Sequence, residues 1–139
     1  MIHATLVDRT TGYTGTGPED GFLYVQAVRS GSLLFLSGQA ALDERGEVVG
    51  PDDVAVQLQA AYENIGKVLR RFDCSLTDLI EETIYVTDVH AAAAPLAAQR
   101  KVIFEGKPLA ACTVVEVKAL GLATLMVEIR AIAAIPEGK

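Results

Sequence analysis

Hydrophobic and polar residues alternate in two segments of the last third of the chain, residues 111–117 and 126–133. A period of two is typical of strands with one covered face. In the second segment, one side is an apolar row formed by Val127, Ile129, Ala131 and Ala133. Glu128 and Arg130 point to the other side, and Cys112 stands in the more polar row of the first segment. A second subunit over this polar row would enclose Cys112, Glu128 and Arg130 in a cleft, where we expect the chemistry.

The middle of the chain has helical periodicity. Asp52 or Asp53 is placed to cap a helix that extends to about Phe72. The apolar stripe of this helix has the expected spacing and consists of Val54, Leu58, Ala61, Ile65, Val68 or Leu69, and Phe72.

A second helix is predicted from Asp88 to about Phe104. It contains Pro95, and proline is tolerated in the first turn of a helix rather than in its interior. We therefore expect the regular part of this helix to begin near Ala93 or Ala94.

Shorter apolar segments bounded by turn residues predict four further strands, at residues 2–7, 23–29, 33–37 and 80–86. The second and third are joined by Ser30-Gly31-Ser32, a hairpin connection. Two helices cannot cover both faces of a five- or six-stranded sheet. The pattern therefore predicts one domain over residues 1–139, with both helices on one face of the sheet and self-association through the other.

The charge of the chain argues against some partners. The 139 residues carry a net charge of −6, and the densest basic cluster, Lys67 with Arg70 and Arg71, lies where the first helix ends. Cations at that position are explained by the helix dipole, so we expect no nucleic-acid partner. No apolar run reaches the roughly 18 to 20 residues of a membrane span, and the N-terminus lacks signal-peptide features. We expect no membrane partner and a cytoplasmic location.

Cysteines and histidines are few and far apart. Cys74 follows the first helix in a turn-like segment and is expected to be a small packed residue. Cys112, His3 and His90 show no spacing typical of metal ligands. We expect no metal.

Five segments together resemble the Rid family (reactive intermediate deaminase, also called YjgF or L-PSP endoribonuclease-like). They are Leu23-Tyr24-Val25-Gln26-Ala27-Val28, Leu36-Ser37-Gly38-Gln39, Thr83-Ile84-Tyr85-Val86-Thr87-Asp88, Val115-Glu116-Val117, and Val127-Glu128-Ile129 with Ala131-Ile132-Ala133. The resemblance runs from about Phe22 to Ile135, in order and with compatible spacing.

The resemblance implies a chorismate-mutase-like α+β fold with a five- to six-stranded mixed sheet and two helices on one face. It also implies a homotrimer with a small-molecule ligand in each inter-subunit cleft. It further implies hydrolysis of reactive enamines or imines to carbonyl compounds and ammonia, without a cofactor. The tyrosine, serine and glutamate of the family cleft match Tyr24, Ser37 and Glu128. With no His-Asp pair beside it, Ser37 is expected to contact ligand or backbone and not to act as a nucleophile.

Two positions depart from the family pattern. Cys112 stands where the deaminases have the arginine that grips the substrate carboxylate, and a thiol cannot replace that bidentate donor. A second acidic residue of the family is replaced by Arg130. The replacement of the arginine by Cys112 argues against a simple 2-imino acid as the best substrate.

The roles of these residues remain open at this stage. Cys112 is a space-filler, a neutral pocket wall or a reactive thiol, and the last requires a base that the sequence does not show. Arg130 is a new substrate cation or part of an interface ion pair. Glu128 handles water and protons at a C=N bond, or forms an inter-subunit hydrogen bond. Tyr24 contacts the ligand or only lines the cleft.

Three functions are compatible with this pattern. The first is hydrolysis of an enamine or imine other than a simple 2-imino acid, with Glu128 as the catalytic residue and Tyr24, Ser37, Cys112 and Arg130 lining the substrate site. The second is a non-catalytic trimer that binds a metabolite or a protein partner. The third is an RNA-directed activity, which the acidic composition disfavours.

Overall fold

The computed structural model describes residues 7–10 and 22–138. In chain order the elements are β1 (Val7–Thr10), β2 (Ala27–Ser30), β3 (Leu33–Ala40), α1 (Val54–Arg70), a short 3₁₀ helix (Leu76–Asp78), β4 (Leu79–Val86), α2 (Val89–Phe104), β5 (Ala111–Glu116) and β6 (Val127–Ala134). The predicted order of strands and helices is confirmed. The predicted strand at 2–7 lies outside the described residues except for Val7.

The six strands form one mixed sheet in the order β1-β2-β3-β6-β4-β5. Only β4 and β5 are parallel, and α2 provides the crossover that a parallel pair requires. All other neighbouring strands are antiparallel. β6 therefore lies inside the sheet, between β3 and β4, and its predicted apolar row is buried.

Both helices pack on the face of the sheet that carries this apolar row, as predicted. The buried side chains of the shared core include Leu34, Leu36, Leu58, Ala61, Ile65, Val68, Leu69, Ile84, Val86, Leu96 and Phe104. The stripe of α1 matches the predicted spacing, and Cys74 is buried beside it. The described residues thus have the expected α+β architecture with one helix-covered face and one open face.

The start of α1 also fixes where β6 enters the sheet. Asp53 caps the helix by accepting a hydrogen bond from the Val56 N–H. Gln57 is fully buried and donates to the carbonyls of Gly50 and Thr124, at 3.1 and 2.9 Å. Its side-chain oxygen accepts from the Met126 N–H at 2.7 Å. These bonds hold the residue that precedes β6, and with it the start of the strand that carries Glu128.

The structure corrects three boundaries. β2 begins at Ala27 instead of residue 23, because β3 bulges at the next position and regular pairing stops at the Ala27–Leu36 pair. β1 continues to Thr10, where a loop was expected. α2 begins at Val89 and includes Pro95.

The start of α2 at Val89 has a simple physical reason. The Asp88 side chain accepts hydrogen bonds from the N–H groups of His90 and Ala91, which fixes the first turn of α2. Pro95 removes only the one hydrogen bond that its own N–H would have donated. A strong cap upstream therefore outweighs the cost of the proline.

Candidate active site

Glu128 lies on the open face of the sheet, in the strand between β3 and β4. Its neighbours across the two strand pairs are Ala40 and Tyr85. The residue is half-buried, and within residues 22–138 its carboxylate has neither a hydrogen bond nor an ion pair. Burial raises the pKa of Glu128 above its ordinary value. A half-buried carboxylate without a partner is typical of a functional group and not of a structural one.

A bulge in β3 makes room for this carboxylate. Two residues of β3, Ser37 and Gly38, face one residue of β6 at this point. A Cβ atom built on Gly38 would overlap Glu128 Oε1 and lie 2.8 Å from Glu128 Cδ. Glycine within a strand often marks such a close approach. The Glu128 side chain passes so close to the β3 backbone at Gly38 that only glycine fits there. The sequence alone did not indicate this role for Gly38.

The substitution Gly38→Ala tests this contact. We expect the added methyl group to push the Glu128 carboxylate outward into water, because the overlap leaves no other space. The pKa of Glu128, followed by ¹³C NMR titration of its carboxyl carbon, should then fall toward the ordinary glutamate value. Gly121→Ala is the control, since a Cβ there meets nothing within 4 Å. An unchanged pKa in Gly38→Ala would mean that the bulge does not hold Glu128.

Ser37 is part of the same bulge. Its hydroxyl donates a hydrogen bond of 2.6 Å to the Val25 carbonyl, and its N–H donates to the Gln26 carbonyl at 2.8 Å. The Gln39 amide, which is buried, donates to the Gln26 side-chain oxygen at 2.6 Å. The Ser37 proton is thus engaged with the backbone, which agrees with a positioning role and not with that of a nucleophile.

Tyr24 is half-buried and directly precedes Val25 in the segment that leads into β2. The hydrogen bond between Ser37 and Val25 ties this segment to the bulge. The structure therefore brings Tyr24, Ser37 and Glu128 to one corner of the sheet, around the bulge of β3.

Arg130 is exposed and lies on the same face as Glu128, two residues further along β6. Its neighbour on β4 is Thr83, and its neighbours on β3 are the residues of the bulge. Arg130 has no ion pair with any residue in the range 22–138. Arg130 is therefore available to a ligand or to another subunit. Both roles expected from the sequence, a substrate cation and a member of an interface ion pair, agree with this position.

Cys112 is not on this face of the same chain. It pairs with Glu82 on β4, and Glu82 pairs with Ala131 of the buried row, so Cys112 projects toward the helices. Thr83 and Arg130 project the opposite way. The expectation that Cys112, Glu128 and Arg130 meet is therefore wrong for a single subunit. Alternation shows which residues of one strand share a face, but strand pairing decides which faces coincide.

The thiol of Cys112 is not activated. Burial raises its pKa, the charge of Glu82 adds to this effect, and the nearby Arg100 only partly offsets it. A nucleophilic cysteine requires a lowered pKa. Of the three roles considered for Cys112, the reactive thiol is thus the one that the surroundings disfavour.

A buried polar cluster beside Cys112 was missed in the sequence. The Glu82 carboxylate is fully buried and accepts a hydrogen bond of 2.8 Å from the Tyr62 hydroxyl. Arg100 Nη1 donates to Glu82 Oε2 at 2.5 Å and to the Tyr62 oxygen at 3.0 Å. The Arg100 guanidinium also lies over the Phe104 ring, 4.8 Å from its centre. The signal in the sequence was Glu82, a charged residue at an inward position of β4.

Within residues 22–138, no three metal-ligating side chains lie together. No helix there is long and apolar enough to cross a membrane. A surface depression of about 400 Å³ lies between α1 and α2, on the far side of the sheet from Glu128, and Tyr62 and Ile103 are part of its wall.

Comparison with known proteins identifies relatives over most of the chain. Residues 16–135 match the family model described as Endoribonuclease L-PSP. A RutC family protein of Pyrococcus horikoshii is 34% identical over 122 residues, which are 87% of this chain and 94% of that protein. A bovine protein named 2-iminobutanoate/2-iminopropanoate deaminase is 30% identical over 67 residues, 48% of this chain and 49% of that protein.

Solved structures share the same fold. The structure of Protein YjgH has a TM-score of 0.80 and 31% sequence identity, covering 94% of this chain and 99% of that chain. A protein of Mycobacterium tuberculosis, described as a member of the YjgF/YER057c/UK114 family, has a TM-score of 0.78 and 30% identity, covering 92% of this chain and 100% of that chain. Sequence and architecture therefore agree: the chain belongs to the Rid family, also known as the YjgF or L-PSP endoribonuclease family.

Proposed function

We propose that this protein hydrolyses a reactive enamine or imine to a carbonyl compound and ammonia. Water adds to the C=N carbon, the C–N bond breaks, and the protons move from oxygen to the departing nitrogen. The observation that carries the proposal is Glu128, a half-buried carboxylate with a raised pKa and no partner among residues 22–138. The name of the bovine relative, an imine deaminase, supports the same reaction class.

Glu128 suits proton transfer for a physical reason. A carboxyl group works best as a general acid and base when its pKa lies nearer the working pH, and burial shifts the pKa of Glu128 in that direction. Gly38 leaves space for the carboxylate. In this proposal Ser37 and Tyr24 orient the ligand, and the hydrogen bond from Ser37 to the Val25 carbonyl supports their role. The reaction needs no cofactor in this scheme.

The proposal includes a homotrimer with the site between subunits. The open face exposes the apolar side chains of Leu33, Phe35 and Val115 by 36, 38 and 37%. A surface of this kind is typical of an interface. Because Cys112 and Glu128 project from opposite faces of one sheet, only a neighbouring copy can place them in one cleft. Light scattering should give three times the chain mass.

We propose a cytoplasmic location, with no nucleic-acid or membrane partner.

The cysteine at position 112 restricts the class of substrates that we propose. Without a guanidinium at this position, a 2-imino acid loses a charge-assisted contact worth on the order of 1.5 to 3 kcal/mol. We therefore propose a substrate other than a simple 2-imino acid. The same substitution favours a second candidate, a non-catalytic trimer that binds a metabolite or a protein partner in this cleft.

Hydrolysis of 2-iminopropionate, generated in situ and followed by semicarbazide trapping, tests the proposal in wild type and in Cys112→Arg. We expect slow turnover by wild type and roughly tenfold or greater gain in Cys112→Arg, because the arginine restores the bidentate contact. Glu47→Gln, which makes the net charge more positive by the same one unit in the exposed turn before α1, is the control for altered charge. If neither protein hydrolyses this or any longer imine, the binding function replaces the enzymatic one.

A further inference from the structure

Arg100 uses only some of its hydrogen-bond donors within residues 22–138. A guanidinium has five N–H groups. Both groups on Nη1 are engaged, one with Glu82 and one with Tyr62. The three on Nε and Nη2 find no acceptor among the described residues, although only 21% of the side chain is exposed. Nε and Nη2 form the edge of arginine that binds carboxylates in bidentate fashion.

The rest of the cluster holds this guanidinium rigidly. The Glu82 carboxylate, the Tyr62 hydroxyl and the Phe104 ring contact it from different directions. An arginine that is fixed in this way loses little conformational entropy when it binds a ligand. Arg100 is thus preorganised, and its free donors are not needed for the fold.

Cys112 borders this cluster at the edge of the sheet. It is the neighbour of Glu82 across the β4–β5 pair, on the same face, and the residue is exposed. β5 is the last strand of the sheet, and all of its residues are exposed. The side chain at position 112 is small, and it lies near enough to Arg100 for the charge of the guanidinium to act on the thiol.

We propose that Arg100, reached past Cys112 of the same copy, binds the carboxylate group of a substrate whose C=N carbon lies at Glu128 of a neighbouring copy. This inference rests on the proposed function and names its substrate class. Arg100 contacts Glu82 on β4, one strand inward from Cys112 on the edge strand β5, so it holds the carboxylate further from the sheet edge than a side chain from position 112 would. The preferred substrate is then an imine or enamine whose carboxylate is separated from the C=N carbon by a longer carbon chain than in a 2-imino acid.

Binding of 4-oxopentanoate, a keto acid with this longer spacing, tests the inference without any turnover. Its methyl ester is the matched ligand, because it has the same chain without the charge. We expect the acid to shift the NMR signals of the Cys112 amide and the Arg100 Nε–H group, and to bind at least about tenfold more tightly than the ester. Equal binding of acid and ester would overturn the inference, and this comparison needs no variant.

Arg100→Lys provides the second measurement. Lysine keeps the charge beside Glu82 but loses the planar pair of donors, so binding of 4-oxopentanoate should weaken about tenfold or more. Arg45→Lys makes the same exchange in an exposed turn and should bind like wild type. If imines are hydrolysed but Arg100→Lys binds the acid normally, this inference fails alone. If Arg100→Lys loses binding and no imine is hydrolysed, the inference holds and the proposed reaction fails.

Discussion

Replacing Glu128 with glutamine is expected to lower imine hydrolysis by about 100- to 10,000-fold, the range typical of a lost general acid–base group. Glutamine has nearly the same shape as glutamate, and Gly38 leaves the same space for it, but its amide cannot take up a proton. The measurement is the turnover of the best imine substrate found for wild type. The raised pKa of Glu128 also predicts that wild-type activity falls on the acidic side at a pH above the ordinary glutamate value of 4.5.

Glu128→Gln should raise the stability of the protein at neutral pH, although it lowers activity. Because burial raises the pKa of Glu128 in the folded protein, folding favours the protonated carboxyl. This contribution to stability is present below the pKa of the unfolded chain and is lost as the pH rises through the folded pKa. At neutral pH, Glu128→Gln should therefore unfold at higher urea concentration than wild type. The difference in stability should disappear at about pH 3.5, where Glu128 is largely protonated in both the folded and the unfolded protein.

Glu47→Gln is the control for both effects, since Glu47 is exposed in the turn before α1 and far from the bulge. It should leave turnover and stability unchanged. Turnover of Glu128→Gln equal to that of wild type would remove Glu128 from the mechanism. A variant that loses turnover together with stability would instead indicate a structural role.

The substitution Arg100→Leu should destabilise the protein by about 3 to 5 kcal/mol, the usual effect of removing one partner of a buried ion pair. Glu82 is completely buried, and without Arg100 its carboxylate keeps only the hydrogen bond from Tyr62. The measurement is the free energy of unfolding in urea at neutral pH.

A triple variant separates the cost of an unpaired charge from the value of the pair. Replacing Tyr62 with Phe and both Glu82 and Arg100 with Leu removes every polar group of the cluster, so this variant should be more stable than Arg100→Leu alone. Lys101→Leu is the matched control on the same helix. Its ion pair with Glu105 spans 4.0 Å between largely exposed side chains, and its loss should cost less than about 0.5 kcal/mol. If the triple variant is the least stable protein, the cluster itself contributes to stability.

Much of the fold could be predicted from local patterns. The apolar row of β6 and the stripe of α1 were correct because burial on one face imposes a period of two on a strand and near 3.6 on a helix. The caps at Asp53 and Asp88 were readable because a carboxylate before a helix satisfies its free N–H groups. The start of α2 was predicted wrongly, since the penalty of Pro95 was judged without the strength of the cap at Asp88.

The candidate site was predicted less completely. Glu128, Ser37 and Tyr24 were named from the resemblance, and the structure brings them to one corner of the sheet. Gly38 was missed as a contact of Glu128 because a bulge depends on how β3 and β6 pair, which neither strand shows alone. Arg100 was missed because its partners, Glu82 and Tyr62, lie on other elements of the chain.

The sequence by itself determined the order of elements, the buried rows of strands and helices, and Glu128 as a polar residue opposite an apolar row. These are local properties, because they follow from the periodicity of one segment at a time. Only the tertiary structure decided that Cys112 projects toward the helices while Glu128 and Arg130 project away from them. Strand order and register set that relation, and they arise from contacts between residues far apart in the chain.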